Sequence, residues 1–490
     1  MLKRMEAKIA LNPDFARAYW GIVRPSEGPR RVFPPLGAHS EGRKTPRSMW
    51  YMGAAMRNYS PLVAEHLMWA ARPTDQDMEV PLTAPDPYAV MYQQPDNYGT
   101  NPHLRTAKYT GYGITLRAEV DTPHELSVHL IQVDDGPNYR WGIAGEGGCG
   151  VIYFYANGKG YSHNAREDVG DRAVEDTDLA TNFGVWKDGV FRSVGRNVLS
   201  RPHYDLRFAQ FAEIVPRQGP AAYSWPEYVS RSVMLAGDDY FLVHDKVSDP
   251  QVKHRFSWFV SKGDEFPHIT MLTGPQRREI GLGTSVETEA TSGRWIDGAG
   301  DSLAVVTYKE GIQGQVAPFG GRVTLPGGSD LLFASQKTIQ FHEIDSSFRG
   351  TSGIIRKSQH LIEMALFHGT HIAAAGLSFD TPDGDLGISA RITTSVAAGV
   401  AEGYFFAPSV STVEIGLPSN AERMTLYIDG THVSSARDGR IAAALPPGAH
   451  RWELTAGLPV PLPPLVEWTE YMSGGVIVHG VPWPQAPAIN

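Results

Sequence analysis

The side chains best suited to chemistry are concentrated in residues 138–205. Short runs within this region combine tyrosine, histidine, arginine and asparagine, and they lie at 138–142, 161–164, 192–197 and 201–205. Arginine or asparagine can bind a carboxylate through two hydrogen bonds, and histidine or tyrosine can act as a general acid or base. These groups suit β-elimination from a uronic acid, in which the carboxylate is neutralised, the C5 proton is removed and the leaving oxygen is protonated.

Individual side chains of this region can be assigned to the steps of that reaction. We predict that Arg140 and Asn197 bind the substrate carboxylate and that Trp141 stacks against a sugar ring. The candidate acid–base residues are Tyr139, His203 and Tyr204. A structural alternative stays open for each residue, because aromatic side chains also cover sheet faces and arginine and asparagine also stabilise turns.

A basic patch at the end of this region supports an anionic partner. Residues 192–207 contain a single acid, Asp205, and four arginines, which are Arg192, Arg196, Arg201 and Arg207. A local basic cleft can attract an anionic substrate to a protein whose overall charge is negative. We therefore include Arg196 among the substrate-binding residues, together with His163.

Common motifs for other chemistries are absent from the sequence. It contains no P-loop, no GxSxG, no HExxH and no GxGxxG followed by a helix. The single cysteine, Cys149, can form neither an internal disulfide nor a multi-cysteine zinc site. His360, His368 and His371 have metal-like spacing but straddle a strand and a glycine turn, so we interpret them as structural. We predict no metal and no cofactor.

The composition describes a folded protein with many turns. The chain has 490 residues, of which 42% are hydrophobic and 20% are charged, and this excludes intrinsic disorder. The net charge of -9 argues against broad phosphate contacts with nucleic acid. No apolar run approaches the ~20 residues of a membrane span. The basic N-terminus is not followed by the apolar run of a signal peptide, which favours a cytoplasmic location.

The hydrophobic pattern changes from helical to extended at about residue 105. Helical spacing at 3–11 and 50–71 predicts an α-helical N-terminal segment over 1–72, with a new helix beginning after Ser60. Residues 73–104 are rich in proline and aspartate and predict a linker.

From residue 105 onward the hydrophobic residues alternate with period two. The predicted strands include 112–117, 126–130, 151–155, 240–244, 255–260 and 303–308. Turn signals such as Asn157-Gly158 and Asp188-Gly189 separate them, and 51 glycines and 36 prolines fit this pattern. The fold class is therefore mainly β: a large antiparallel β-sandwich over 105–335, a smaller C-terminal β-sandwich over 336–460 and a Pro-rich tail over 461–490.

Three blocks of the β region resemble the heparinase II/III-like polysaccharide lyases. Residues 108–117 resemble the strand that opens the family's β domain, 150–159 a strand followed by an Asn-Gly turn, and 231–245 a third block. The loop at 34–37 and the helix after it are similar to the end of the family's α/α toroid. The resemblance implies a lyase that cleaves a uronic-acid-containing polysaccharide, such as a glycosaminoglycan or alginate, and a periplasmic or secreted location. It also places His39 near the substrate cleft.

The sequence departs from this family at its histidines. Where the family has an H-x-H-x-D stretch, residues 146–150 are EGGCG, and where it often has His-Asn the chain has Arg196-Asn197. Two ligands of the zinc ion that several members hold are thus missing. The family's remaining catalytic residues lie on toroid helices upstream of this chain. Three explanations stay open: the chain is a fragment, a partner supplies the helices, or the chemistry has moved to Tyr139, His203 or Tyr204.

Two other functions remain open at the level of sequence. The chain can be a non-catalytic carbohydrate-binding or structural β module derived from such a lyase, as the missing histidines suggest. A glycoside hydrolase is less favoured, because no pair among its acidic residues has a spacing that specifies catalysis. The sequence leaves open which uronate is bound, whether attack is endo or exo, and whether the chain forms a homo-oligomer.

Overall fold

A computed structural model describes part of the chain: residues 61–70, 99–100, 105–109, 113–130, 150–162, 181–193, 197–199, 203–216, 226–273, 278–279, 284–287, 291–393, 401–418, 424–435, 438–455, 469–472 and 475–478. Helix α1 spans Pro61–Ala70, and its first residue suits the first turn of a helix, where a proline needs no N–H donor. Ala64, Met68 and Trp69 of this helix are buried. The remainder of the predicted N-terminal helical segment lies outside the described residues, as does most of the predicted linker.

The strands follow one another along the chain in two groups. The first group comprises β1 (Ala107–Tyr109), β2 (Gly113–Ala118), β3 (Leu126–Leu130), β4 (Ile152–Ala156), β5 (Lys159–Gly160), β6 (Phe183–Lys187), β7 (Val190–Ser193), β8 (Asn197–Leu199), β9 (Tyr204–Asp205), β10 (Ala209–Pro216), β11 (Tyr228–Ala236), β12 (Tyr240–Val247), β13 (Lys253–Ser261), β14 (His268–Met271), β15 (Arg278–Glu279), β16 (Thr284–Glu287), β17 (Thr291–Ala299) and β18 (Ser302–Thr307). The second group comprises β19 (Gln313–Ala317), β20 (Gly320–Leu325), β21 (Gly328–Glu343), β22 (Ser346–Ser358), β23 (Leu361–Ala374), β24 (Leu377–Asp380), β25 (Gly387–Thr393), β26 (Ala401–Ala407), β27 (Ser411–Gly416), β28 (Thr425–Ile428), β29 (Thr431–Ser435), β30 (Arg440–Leu445), β31 (Gly448–Thr455), β32 (Thr469–Met472) and β33 (Gly475–Val478).

Within the described residues these strands form four sheets. Sheet 1 has the order β33-β32-β1-β2-β3-β4-β5, and sheet 2 has the order β15-β14-β18-β12-β11-β10-β8, with β9 also paired to β10. Sheet 3 has the order β16-β17-β13-β6-β7. Sheet 4 has the order β19-β20-β21-β22-β23-β25-β26-β31-β28-β29, with β24, β27 and β30 paired beside it. The strand pairs are antiparallel except β1 with β32, which is parallel.

Three buried cores hold the sheets together. The first contains side chains of sheets 1, 2 and 3, and there the Phe241 ring lies 4.9 Å from Phe154 and 6.3 Å from Trp258 between centroids. The second joins the opposite face of sheet 2 to sheet 4, where Phe211 stacks on Phe367 at 5.0 Å. The third lies within sheet 4. Sheet 2 is therefore covered on both faces, which explains the nearly continuous burial of β12.

The predicted mainly β fold class is confirmed, and its sheets are almost entirely antiparallel. The predicted strand at 126–130 is β3, and the strand predicted at 240–244 lies within β12. Asp188 and Gly189 both have positive φ, 50° and 80°, as a two-residue type I′ hairpin turn requires. The local alternation of the sequence therefore specified these strands and their connections.

The domain boundaries of the sequence do not coincide with the ends of the sheets. The boundary predicted at residue 335 lies inside β21, which is continuous from Gly328 to Glu343 because it pairs with both β20 and β22. Sheet 4 begins upstream of that boundary, at β19. The segment predicted as a Pro-rich tail contains β32 and β33, which extend sheet 1 through β1.

Candidate functional site

Most of the site residues predicted from the sequence lie outside the described residues. These are Tyr139, Arg140, Trp141, His163, Arg196 and His39. Asn197 begins β8, and its backbone pairs with Pro216 of β10, but its side chain is not described. The proposed roles of these residues remain predictions.

Tyr204 lies in the core between sheets 2 and 4, and its neighbour His203 is also buried. Both side chains are fully buried, and the Tyr204 hydroxyl donates a hydrogen bond to the carbonyl of Asp385 at 3.0 Å. The Tyr204 ring packs against Phe367 and Phe406 of sheet 4. This differs from the expected position at a substrate cleft, and the physical reason is that sheet 4 covers this end of sheet 2.

A cleft rich in arginine opens beside these two buried residues. Its volume is about 480 Å³, and strands of sheets 1, 2 and 4 contribute to it. Its cationic side chains are Arg105, Arg117, Arg207, Arg356 and Arg391. We call this site the arginine cleft. Five acidic residues also line it, so a ligand here would contact both positive and negative side chains. They are Glu119, Asp121, Asp205, Asp238 and Glu363.

Hydrogen bonds between sheets 1 and 2 form the floor of the arginine cleft. The Gln210 side chain of β10 accepts a hydrogen bond from the backbone N–H of Arg117 at 2.9 Å and donates one to the Arg117 carbonyl. The Thr106 hydroxyl donates a hydrogen bond to the side-chain oxygen of Gln210. Thr106 and Gln210 are buried, so these bonds fix β2 against β10 and hold the cleft at a defined width.

A second cavity of about 310 Å³ continues from the arginine cleft. It shares Arg207, Phe208 and Arg391 with the cleft and adds Tyr404 and Arg451 from the neighbouring strands β26 and β31. The two cavities therefore adjoin at these three residues, and together we call them the groove. Tyr404 and Arg451 are direct cross-strand partners, so the sheet register fixes their spacing.

Most arginines of the cleft are held by carboxylates. Arg105 contacts Asp205 at 2.9 Å, and Arg391 contacts Glu363 at 2.7 Å. The Arg117 guanidinium likewise pairs with buried Glu125 at 3.1 Å. These ion pairs orient the guanidinium groups but also neutralise much of their positive charge. Arg391 is half exposed, so its remaining N–H groups can still meet a ligand.

Arg207 differs from the others because its guanidinium has no carboxylate partner within the described residues. Desolvation in the cleft lowers the pKa of Arg207, and the nearby charge of Arg105 lowers it further. Arginine nevertheless stays protonated in proteins. The charge of Asp205 and the interaction with Tyr404 act in the opposite direction, and Arg207 is exposed, so its guanidinium is open to an anionic ligand. The guanidinium also lies 5.9 Å from the centre of the Tyr404 ring.

The local backbone of Arg207 is unusual as well. Its φ is 67°, a left-handed conformation that costs an L-residue roughly 1–2 kcal/mol. The Arg207 N–H donates to the Asp205 carboxylate at 3.2 Å, and the Leu206 N–H donates to the Ala209 carbonyl at 3.1 Å. These hydrogen bonds form the tight turn that leads into β10 and directs the Arg207 side chain into the groove.

Among the described residues of this groove, Arg207 could be identified from the sequence, but its other lining residues could not. The basic patch at 192–207 includes Arg207, which is the described member that lies in the cleft. Arg391 and Tyr404 were not identified, because they lie on strands of sheet 4 far away in the sequence. No short-range pattern marks them.

Two further properties concern the described residues alone. They contain no group of three or more histidine, cysteine, aspartate and glutamate side chains that could hold a metal ion. The described part of the chain also lacks a helix long and apolar enough to cross a membrane.

No protein-family model matches the chain, and no curated protein matches it. Among solved structures, it is similar to heparan sulfate lyase HepC from Pedobacter heparinus, with 9% sequence identity and a TM-score of 0.37. The alignment covers 68% of this chain and 49% of that chain, so this chain spans about half the length of that structure. Similarity of this degree defines neither family nor function.

Proposed function

We propose that the protein binds a uronic-acid-containing polysaccharide in the arginine cleft and cleaves it by β-elimination. The observation that carries this proposal is the position of Arg207 in the groove, where its exposed guanidinium has no carboxylate partner among the described residues. A substrate carboxylate is the ligand that such a guanidinium binds best, through two parallel hydrogen bonds. The resemblance of residues 108–117, 150–159 and 231–245 to polysaccharide lyases supports the same class of substrate.

The groove offers a second contact for a polymer with repeated carboxylates. Arg207 and Arg391 line both cavities, so a sugar chain that passes through the groove would meet both guanidinium groups. Neutralising a carboxylate makes the adjacent C5 proton more acidic. Electrostatic stabilisation of the charge that develops in the transition state is often the largest contribution to catalysis.

Tyr404 is the acid–base residue in this proposal. Its ring lies beside the Arg207 guanidinium, where the substrate carboxylate would be held. In the reaction the C5–H bond breaks, its electron pair forms the C4=C5 double bond, and the C4–O bond breaks as the leaving oxygen takes up a proton. In its phenolate form, a tyrosine next to the bound carboxylate can accept the C5 proton and then donate it to the leaving oxygen, which restores the phenolate. Tyr404 takes this role in place of His203 and Tyr204, which are buried.

The first test is the ultraviolet absorbance of the unsaturated uronate product. The purified chain is incubated with heparan sulfate, chondroitin sulfate, hyaluronan, alginate and polygalacturonate. We expect Arg207→Gln to weaken binding of the cleaved polymer about tenfold or more in calorimetry, since it removes a charged hydrogen bond. We expect Tyr404→Phe to retain binding but lower the elimination rate about 10²-fold or more.

Arg322→Gln is the matched control for these variants. Arg322 is an exposed arginine of β20 that pairs with Glu343 away from the groove, so its replacement should change neither binding nor rate. Absence of product absorbance with every polymer would overturn the lyase proposal. Equal rates for Tyr404→Phe and the parent chain would remove Tyr404 from it.

A non-catalytic polysaccharide-binding module is the second candidate. The observation in its favour is that His203 and Tyr204, two of the acid–base residues predicted from the sequence, are enclosed in the core. Arg207-dependent binding of a polyuronate, with polymer length unchanged after incubation, would favour this candidate over the lyase.

A further inference from the structure

Sheet 4 carries a second groove that shares no lining residue with the arginine cleft. Its volume is about 1040 Å³, and it is lined by residues of β21, β22, β23, β27 and β30 and by the end of β24. Histidine, arginine and threonine side chains lie on its walls, together with the small residues Ala442, Ala443 and Ala444. The groove is therefore large enough for a ligand and contains groups capable of chemistry.

His371 and Asp380 line this groove, and Ser347, which is not among its lining residues, joins them in a chain of hydrogen bonds. Ser347 Oγ lies 2.7 Å from His371 Nε2, and His371 Nδ1 lies 2.8 Å from Asp380 Oδ1. Both nitrogens of the imidazole are thus engaged, one by the hydroxyl and the other by the carboxylate. This is the order of contacts in a Ser-His-Asp catalytic triad, which is recognised by geometry and not by position in the sequence.

Sheet register fixes this arrangement. His371 of β23 is the direct cross-strand partner of Asp380 on β24, and Arg349 of β22 is its partner on the other side. Ser347 precedes Arg349 by two residues, so its side chain lies on the same face of β22. Three consecutive strands thus bring the three residues together on rigid elements, as a preorganised site requires.

The three side chains can also be reached from solvent. His371 is 25% exposed and Asp380 is 53% exposed, while Ser347 is partly buried. Within the described residues neither Ser347 Oγ nor the Asp380 carboxylate has a side-chain hydrogen-bond partner other than His371. The hydroxyl is therefore not committed to another structural contact. From the sequence, His371 is interpreted as structural because His360, His368 and His371 straddle a strand and a glycine turn. No motif spacing links Ser347 and Asp380 to it.

We propose that Ser347, His371 and Asp380 form a second active site that hydrolyses carboxylic esters, such as acetyl esters of sugar hydroxyls. The alanines that line part of the groove wall leave room for the acyl group. Esters are the matching acyl donors because an alcohol leaves more readily than an amine. The groove is open to water, which is the second substrate of hydrolysis.

The reaction balances with the groups at the site and water. Ser347 Oγ attacks the carbonyl carbon while its proton passes to His371 Nε2, and the ester C–O bond breaks as the departing alcohol takes that proton. Water then attacks the acyl-serine, His371 accepts a proton from it, and Ser347 recovers its hydrogen when the acid is released. Asp380 accepts the Nδ1–H bond and holds the imidazole in the required tautomer. Arg349, which lines the groove beside His371, supplies N–H donors for the oxyanion.

The test uses p-nitrophenyl acetate as the ester and a fluorophosphonate as the label, both with the full chain. We expect ester hydrolysis above the buffer rate and one label on the peptide that contains Ser347. Ser347→Ala should abolish the label and lower the rate about 10³-fold or more, and Asp380→Asn should lower it about 10²-fold or more. Ser329→Ala, an exposed serine on β21, is the matched control and should leave rate and labelling unchanged.

Two outcomes would overturn the proposal. One is a rate for Ser347→Ala equal to that of the parent chain, and the other is a label on a different residue. Thermal unfolding of each variant, with His371→Gln as an additional one, separates loss of the site from loss of the fold. Arg207→Gln should leave ester hydrolysis intact, and Ser347→Ala should leave polyuronate binding intact, so the two proposals fail independently.

Discussion

Arg207 has an unusual backbone conformation and lies in the groove. Its φ is left-handed, and its side chain is exposed and has no carboxylate partner among the described residues. Strain of this kind is found in folded proteins where the surrounding structure enforces it, and it is concentrated at functional sites. At Arg207 the turn into β10 enforces the conformation. The conformation therefore costs some stability while it places the guanidinium where the proposed polyuronate would bind.

The buried His254 is expected to make the stability of the protein depend on pH. Burial lowers the pKa of His254, and this outweighs the hydrogen bond to the Gly300 carbonyl and the charges of Asp245, Asp297 and Asp301, which act in the opposite direction. As the pH falls through about 6.5, the unfolded chain takes up a proton at this histidine more readily than the folded chain. The free energy of unfolding should therefore decrease on acidification, down to the pKa of the folded state.

Urea unfolding at about pH 7.5 and 5.5 measures this effect. His254→Asn keeps an N–H donor near the position of Nδ1 but cannot titrate, so its stability should depend less on pH than that of the parent chain. His360→Asn is the control, because His360 is exposed between β22 and β23 and its replacement should leave the pH dependence unchanged. An identical pH dependence in His254→Asn and the parent chain would contradict the prediction.

The pairing register of the strands positions the side chains of both the arginine cleft and the second groove. In the arginine cleft, β2, β10 and β25 belong to three different sheets, and buried hydrogen bonds of Gln210 hold β10 to β2. In the second groove, β22, β23 and β24 are consecutive strands of one sheet. A slip of one residue would turn every side chain of a strand to the opposite face. The turns that set register therefore matter for both sites.

The β6–β7 hairpin allows the cost of a turn conformation to be measured. Gly189 has a φ of 80°, and a Cβ added there would meet no atom within 4 Å. Gly189→Ala should therefore destabilise the protein by roughly 1–2 kcal/mol through backbone conformation alone. Gly327→Ala is the matched control, since its Cβ also meets open space and its φ is not positive. Equal midpoints of chemical unfolding for the two variants would show that the turn tolerates an L-residue.

The whole molecule depends on contacts that are distant in sequence. The strands β3 and β12 could be predicted because period-two alternation is a local property. The burial of Tyr204 could not, because it arises when sheet 4 packs over sheet 2. The arginine cleft was predictable only at Arg207, since Arg105 and Arg391 reach the cleft from other parts of the chain. Local patterns thus specify which segments are strands far better than which side chains meet.

A buried ionic network joins sheet 2 to sheet 4 and supports the last prediction. Asp330 of β21 is fully buried and accepts hydrogen bonds from the Tyr240 hydroxyl at 2.6 Å and from the Arg356 guanidinium at 2.8 Å. Arg356 also contacts Asp239 at 2.8 Å. Burial raises the pKa of Asp330, although Arg356 and Tyr240 act to lower it. The group therefore depends on its partners to remain charged inside the protein.

Asp330→Ala should destabilise the whole molecule by about 3–5 kcal/mol, because it leaves the Tyr240 hydroxyl and part of the Arg356 charge buried without an acceptor. Glu343→Ala, which removes an exposed partner of Arg322, should cost at most about 1 kcal/mol. Urea unfolding measures the loss of unfolding free energy in each variant, and amide hydrogen exchange shows which strands are destabilised. Since the network connects β12 to β21, exchange should increase in both strands. Faster exchange confined to β21 would mean that sheets 2 and 4 open independently and that the network does not couple them.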